Sequence, residues 1–217
     1  MKSAADFLLL DSGASFSQQN VRDGDLDVRV MVLDQYDLED YDLPQKGHKF
    51  LIIDEFIDQE LMLRHKGKIK SFLDQGNILL FCGHLFRHWI PGASMFVPKT
   101  IHNHLDYTVT VLPHPIFEGV LSDDITYNKG VAGFFARGHH PLPEGAEVLL
   151  TLPEGEPITY IDRNSSQGTI IVHAGRNLFR YRHMGHSSAG RIGEQLERFI
   201  YEEHEAIQHR RDRSCAK

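Results

Sequence analysis

Apolar runs and an amphipathic stretch alternate between residues 50 and 82. Phe50–Ile53 and residues 78–81 are almost wholly apolar, as expected for strands that helices cover on both faces. Between them, apolar residues recur at helical spacing, with Asp58 placed as the N-cap and Gly76 as the stop. A strand, a helix and a strand in this order predict a parallel, right-handed βαβ unit.

The same kind of pattern predicts the other elements. The turn Pro153-Glu154-Gly155 joins two strands into a β-hairpin, and a closing helix is centred on Leu196. Residues 15–27 fit a helix or a loop equally well. The further segments that favour strands are residues 7–10, 28–33, 131–136, 148–152, 158–161 and 169–173.

These elements predict the fold class and the domain organisation. We expect an α/β fold, a three-layer sandwich with a mostly parallel central sheet (flavodoxin-like or amidotransferase-like) and a β-hairpin excursion. The length of 217 residues suits one domain over residues 1–217, in which residues 206–217 form a polar tail.

Composition narrows the classes of partner and compartment. A formal net charge of -7 argues against a nucleic-acid binder that relies on neutralising phosphates. The sequence has 2 cysteines, which implies no disulfide framework and favours the reducing cytoplasm. The apolar run near the N-terminus is too short for a signal peptide or a membrane span. We therefore expect a cytoplasmic protein that binds neither a membrane nor a nucleic acid. The composition is compatible with a homo-oligomer.

Polar side chains follow several predicted strands at their carboxyl ends, where open parallel sheets bind ligands. Asp11, Asp54 and Glu55 are ligand-binding candidates for this reason. Cys82 is a candidate nucleophile with His84 as its base, since a thiolate needs a base or a positive field beside it. A buried structural cysteine at the end of a strand is the simpler interpretation of Cys82, because both glycines expected around a nucleophile are absent.

Histidine is abundant, with 14 residues. His84 and His88 would share one face of a helix, and His102 and His104 one side of a strand, so that either pair could supply two zinc ligands. The sequence contains no recognised zinc motif such as H-E-x-x-H, so we assign neither a metal nor a cofactor. His88 stays a ligand-binding candidate.

Two more histidines and three arginines lie near predicted turns or strand ends. His114 lies between prolines in a rigid turn, and His173 ends the last predicted strand. Both are ligand-binding candidates. The segments Gly175-Arg176 and Arg180-Tyr181-Arg182 follow that strand closely and could add an anion-binding rim.

Three segments carry a resemblance to a known family. They are the strand-helix-strand FLIIDEF...IKSFLDQGNILLFCG, the phrase HPIFEGV at 114–120, and PITYIDRNSSQGTIIVHAG at 157–175. Together they resemble the class I glutamine amidotransferase-like superfamily, and within it the non-amidotransferase branch that includes the trehalose-utilisation (ThuA-like) proteins. The true amidotransferases hold their cysteine in a G-x-C-x-G phrase, whereas Leu80 and His84 occupy the two glycine positions around Cys82.

The resemblance therefore implies a binding or interaction module for a small polar ligand, such as a carbohydrate. The alternative is a cysteine- or metal-dependent hydrolase that uses Cys82 and His84 at the carboxyl edge of the sheet. A third reading is a scaffold that binds a protein partner through aromatic loops, although such residues are as often part of a core. The aromatic residues concerned are Phe86, Trp89, Phe134 and Phe135.

Overall fold

A central β-sheet organises the chain, of which the computed structural model describes residues 5–14, 30–183 and 185–215. The strands of these ranges are β1 (Phe7–Asp11), β2 (Val30–Asp34), β3 (Phe50–Ile53), β4 (Ile78–Cys82), β5 (Val97–Pro98), β6 (Thr110–Val111), β7 (Gly138–His139), β8 (Glu147–Thr151), β9 (Pro157–Asp162) and β10 (Thr169–His173). Within the described residues, eight of them form one sheet in the order β2-β1-β3-β4-β10-β9-β8-β6. The remaining two, β5 and β7, pair with each other.

The sheet has a parallel part and an antiparallel part. β2, β1, β3, β4 and β10 run parallel to one another, and β9, β8 and β6 then add antiparallel pairings. The predicted α/β fold with a mostly parallel central sheet is therefore confirmed. The two strands of the predicted hairpin, β8 and β9, are neighbours in this sheet, so they extend it instead of leaving it as an excursion.

Four α-helices accompany the strands in the described ranges, namely α1 (Gln59–Arg64), α2 (Lys66–Asp74), α3 (Ser122–Thr126) and α4 (Ile192–Cys215). The helix predicted between β3 and β4 is two helices, because the backbone at His65 (φ -99°, ψ 13°) departs from helical geometry. Asp58 is the N-cap, as predicted, and its carboxylate accepts from the amides of Glu60 and Leu61. No helix in the described ranges combines the length and the apolar character needed to cross a membrane.

Alternate residues of the strands feed two separate cores. Phe7 and Leu9 of β1 belong to the core that α4 covers through Leu196. Leu8 and Leu10 belong to the opposite core, which α1 and α2 cover. Since both faces of the parallel strands are buried, their sequences are continuous apolar runs.

Two strand predictions differ from the structure. Residues 131–136 contain turns and bends and no strand, because Gly133 has φ +85° and its Cα lies against the ring of Tyr107. The second predicted strand, 28–33, corresponds to β2, which spans Val30–Asp34. Residues 28 and 29 lie outside the described residues. Residues 15–27, for which a helix or a loop was expected, lie outside the described residues.

Residues 206–215 of the polar tail expected over 206–217 continue α4. Ile207 is only 3% exposed and packs into the core between the sheet and α4. Gln208 Nε2 donates to the Gly76 carbonyl at 3.2 Å, and Arg211 Nη1 donates to the Asp74 carbonyl at 2.8 Å. The helix thus closes over the turn between α2 and β4.

This packing predicts a measurable cost at Gly76. Gly76 (φ +83°) and Gly155 (φ +86°) share a left-handed backbone, but an added Cβ meets Ile207 Cγ2 at 2.9 Å only at Gly76. Gly155→Ala should lower the free energy of unfolding by about 1 to 2 kcal/mol through backbone strain alone. Gly76→Ala should cost at least about 1 kcal/mol more, because α4 must shift. Urea unfolding of both variants measures the difference, and equal losses would contradict the close packing of α4.

Candidate functional site

The carboxyl ends of β3, β4 and β10 meet at one edge of the sheet, because these strands are parallel and adjacent. A cleft of about 480 Å³ lies there. Its lining includes Glu55, His84, Phe86, Phe134, Ala174 and Arg176. The cleft therefore occupies the position at which the sequence predicts a ligand site.

Gly83 brings the ends of β3 and β4 together. Its backbone has φ +149°, and its amide donates to the His173 carbonyl at 2.9 Å. A Cβ at this position would lie 2.7 Å from the Cα of Glu55, so only glycine permits the approach. The close approach of the Gly83 backbone to Glu55 thus brings Glu55 and His84 to the same cleft.

Glu55 and Arg176 form an ion pair in the cleft, which Arg137 also lines. Glu55 Oε1 lies 3.7 Å from Arg176 Nε. Glu55 Oε2 is buried and makes no hydrogen bond to any described residue. Burial raises the pKa of the Glu55 carboxyl, although the charges of Arg176 and Arg180 oppose this rise. The carboxyl is therefore partly desolvated and has capacity for one more hydrogen bond.

His84 contributes an aromatic surface to the cleft. Its ring stacks on Phe96, with centroids 3.7 Å apart and planes at 10°, and the Phe86 ring meets it edge-on at 6.1 Å. Burial lowers the pKa of His84. A neutral imidazole can both donate and accept hydrogen bonds, which suits contact with a polar ligand.

Cys82 does not line the cleft. Its side chain is fully buried within the core, and its backbone belongs to β4. Burial raises the pKa of the Cys82 thiol well above its ordinary value, and the charges of Asp54 and Glu55 add to the rise. A thiol that is both desolvated and uncharged is a poor nucleophile, so the geometry favours the structural reading of Cys82.

His173 and His140 lie behind the wall of the cleft. His173 Nδ1 is 2.7 Å from Thr159 Oγ1, and its Nε2 would lie only 2.5 Å from a Cβ at Gly175. His140 Nε2 accepts from the Leu85 amide at 3.1 Å. Burial lowers the pKa of each imidazole to about 3, so both are neutral parts of the packed interior.

Asp54 positions the loop that follows β10. It is 2% exposed, and its Oδ1 accepts from Asn177 Nδ2 at 2.9 Å. Asn177 Oδ1 in turn accepts from the Phe179 amide at 3.0 Å. Because Asn177 lies between Arg176 and Arg180, this chain of hydrogen bonds fixes both arginines relative to β3.

Three predicted ligand-binding residues lie away from the cleft. Asp11 makes a local turn, in which its Oδ1 accepts from the Gly13 amide at 2.9 Å. His88 is exposed on a loop. His114 Nε2 is 3.9 Å from Oε1 of Glu147, the first residue of β8, which places it at the opposite edge of the sheet. The sequence pattern predicts which residues follow a strand. It does not reveal whether the loop that carries them lies at the carboxyl edge of the sheet or at the opposite edge.

The zinc hypothesis for the histidine pairs is also not supported. Residues 84–88 form a loop and no helix, so His84 and His88 share no helical face. His102 and His104 lie in a bend and in the 3-10 helix His104–Tyr107, where a strand was expected. Within the described part of the chain, no group of three or more His, Cys, Asp or Glu residues could hold a metal ion.

Sequence reasoning missed the contribution of the segment between α3 and β7. Phe134, Ala136 and Arg137 line the cleft, and Lys129 lines a smaller space beside it. Arg137 Nε donates to the Gly133 carbonyl at 3.1 Å, which holds this irregular loop closed. From the sequence, Phe134 and Phe135 are considered only as aromatic residues that bind a protein partner, and no repeated spacing marks Lys129, Ala136 or Arg137.

Comparison with known proteins shows the fold alone. No family model matches the chain, and no curated protein matches it. Among solved structures, the cytoplasmic protein STM1381 from Salmonella typhimurium LT2 is similar at 12% identity and TM-score 0.51, over 78% of this chain and 87% of that one. The N-terminal domain of mmIFT52 is similar at 11% identity and TM-score 0.50, over 89% and 96%.

A larger enzyme contains a similar unit. The exo-beta-1,4-mannosidase Op5Man5 from Opitutaceae bacterium strain TAV5 is similar at 15% identity and TM-score 0.52, over 89% of this chain. The match covers only 36% of the mannosidase chain. At such identities, the three structures share an architecture with this protein and carry no residue-level assignment.

The burial of Cys82 predicts a protected thiol. In a Cys215→Ser variant, Cys82 is the remaining cysteine of the 2 in the sequence. Its reaction with iodoacetamide at neutral pH should be far slower in the folded protein than in urea, because the thiol is buried and protonated. Mass spectrometry over time measures both rates. Rapid alkylation of the folded protein would restore the nucleophile hypothesis.

The buried histidines predict acid sensitivity. Unfolded histidines titrate near pH 6.5, whereas His140 and His173 bind a proton only near pH 3 when folded. The unfolded state therefore binds more protons between these values, and stability should fall as the pH drops below about 6.5.

His140→Gln keeps an acceptor for the Leu85 amide and removes one titrating group. It should flatten the pH dependence of the unfolding free energy by up to about 1.4 kcal/mol per pH unit between pH 4 and 6. Ile207→Val is the control, because it should lower stability about equally at every pH. An unchanged slope in His140→Gln would show that His140 titrates normally in the folded protein.

Proposed function

We propose that this chain is a binding module that holds a small polar ligand, such as a carbohydrate, in the carboxyl-edge cleft. We further propose that it is a non-amidotransferase, flavodoxin-like member of the class I glutamine amidotransferase-like superfamily. The observation that carries the binding role is the pairing of Glu55 and Arg176 with exposed aromatic rings in one cleft.

The size and lining of the cleft support a small ligand. A volume of about 480 Å³ falls within the range of ligand pockets, which are mostly apolar with a few convergent polar groups. Phe86 and Phe134 line it while 51% and 45% exposed. Exposed phenyl rings offer flat apolar faces, and the charged pair beside them offers hydrogen bonds to hydroxyl groups.

Two observations favour binding over hydrolysis. The Cys82 thiol is buried and lines no part of the cleft. Among the described residues that line the cleft, Glu55 is the only carboxylate, whereas glycoside hydrolysis ordinarily uses two. The hydrolase alternative therefore lacks a complete set of reacting groups.

A structural neighbour and the composition guide the choice of the first ligands and of the compartment. One solved structure with this architecture is an exo-beta-1,4-mannosidase, which makes mannosides a sensible first probe. A cytoplasmic location is supported by the 2 cysteines, and one similar structure is described as cytoplasmic.

The proposal predicts saccharide binding that depends on the cleft. Isothermal titration with mannose, mannobiose and a panel of other neutral sugars should detect at least one ligand. Glu55→Gln and Phe134→Ala should each weaken its binding about tenfold or more, through a lost charged hydrogen bond and a lost stacking face. Leu121→Ala, at a 62% exposed apolar residue outside the cleft, is the matched control and should bind normally.

Two results would contradict the carbohydrate proposal. One is the absence of heat from every sugar at millimolar protein and ligand. The other is binding that neither Glu55→Gln nor Phe134→Ala weakens, because the sugar would then lie elsewhere. Circular dichroism of each variant separates loss of binding from loss of folding.

A further inference from the structure

A small chamber of about 150 Å³ adjoins the cleft. Phe134 and Arg176 line both spaces, so the chamber opens where the cleft ends. It is lined by Asn128, Lys129, Phe134, Arg176, Arg180 and Tyr181. At about 30 Å³ for each water molecule, the chamber has room for about five waters or one compact polar group.

The chamber concentrates positive charge. Among the described residues, Lys129, Arg176 and Arg180 line it and no carboxylate does, although the whole chain has a formal net charge of -7. Glu55 Oε1 lies 3.7 Å from Arg176 Nε, on the cleft side, and the charge of Arg180 also acts on this carboxyl. Asp54 lies behind Asn177 and lines neither space. Three cations thus face a shared volume with one carboxylate at its border.

Arg180 has a donor with no acceptor. Its Nη1 is buried and makes no hydrogen bond to any residue in the described ranges. A buried donor without an acceptor is costly, and charged donors are costlier than neutral ones. Beside it, Asn128 Nδ2 donates to the buried Tyr181 hydroxyl at 3.0 Å, which makes one wall of the chamber firm.

Lys129 holds a strained backbone at the same place. Its φ of 58° is the only positive value among the described non-glycine residues. A glycine would adopt this conformation without strain, whereas lysine supplies a charge to the chamber. Strained backbone at a ligand site is a recurrent sign of function.

We infer that the chamber binds a compact oxyanion, a carboxylate or phosphate group, on the ligand whose polar body occupies the cleft. The part of this inference that places the ligand's polar body in the cleft rests on the proposed function. The part that places an anion in the chamber rests on the chamber's own residues. Arg176 and Arg180 offer planar pairs of donors, which match the oxygens of either group. The ligand class is thereby an acidic or phosphorylated small molecule, with sugar acids and sugar phosphates as the carbohydrate members.

Titration with inorganic phosphate and with acetate, at constant ionic strength, tests the chamber directly. At least one of the two should bind the wild-type protein, and comparing them distinguishes phosphate from carboxylate recognition. Arg180→Gln should weaken that binding about tenfold or more, because it removes charged donors. Arg213→Gln makes the same charge change at an exposed position of α4 and should leave binding unchanged.

Two substitutions of the exposed Lys129 guard against misfolding of the Arg180 variant. Lys129→Gln and Lys129→Gly should both weaken anion binding, because each removes the charge. Only Lys129→Gly should also raise the Tm, by about 2 to 4 °C, because it relieves the left-handed strain. Anion binding that survives all three substitutions would overturn the inference.

A final comparison separates this inference from the carbohydrate proposal. Mannose 6-phosphate or mannuronate should bind more tightly than mannose, and Arg180→Gln should abolish the difference. Equal affinities, with no binding of phosphate or acetate, would overturn the oxyanion site and leave saccharide binding intact. Phosphate or acetate binding that Arg180→Gln removes, without any sugar affinity, would support the chamber and refute the carbohydrate proposal.

Discussion

The contact of Gly83 with the backbone of Glu55 is the constraint on which the cleft depends. Gly83 follows β4 directly, its amide is held by the His173 carbonyl of β10, and its bare Cα permits the approach of β3. Three strand ends are therefore locked at one point. A side chain at this position would push the Glu55 backbone away, and with it a carboxylate that lines the cleft.

Polar groups behind the cleft serve its shape and not its chemistry. Asp54 holds Asn177, and Asn177 holds the amide of Phe179, so the loop with the two arginines is tied to the end of β3. Cys82 and His173 are neighbours in the β4–β10 register, and both are uncharged because they are buried. Neutral, closely packed groups beneath the cleft exclude water and hold its base rigid. The charged side chains that line the cleft therefore interact more strongly than they would in water.

Sequence predicted what depends on local periodicity and on strand ends. The apolar runs predicted β3, β4 and β10 as strands and the parallel pairing of β3 with β4, which brings Glu55 and His84 to one cleft, whereas the place of β10 beside β4 was not predicted. His114 was misplaced because it lies beside Glu147, at the amino end of β8, and this strand runs in the same direction as β10, so that its amino end lies away from the cleft. Lys129 was missed because the loop that carries it has no period, and only tertiary packing brings it beside Arg180.

The net negative charge of the chain affects how a cationic chamber can attract its ligand. With a formal net charge of -7, the protein as a whole repels anions, but this repulsion is screened beyond about 8 Å at physiological salt. An oxyanion in the chamber would therefore gain from direct contacts and not from a general field. It would also draw Arg176 away from Glu55, whose pKa burial already raises, and so favour proton uptake by that carboxyl. Anion binding and protonation of Glu55 are in this way linked through one shared arginine.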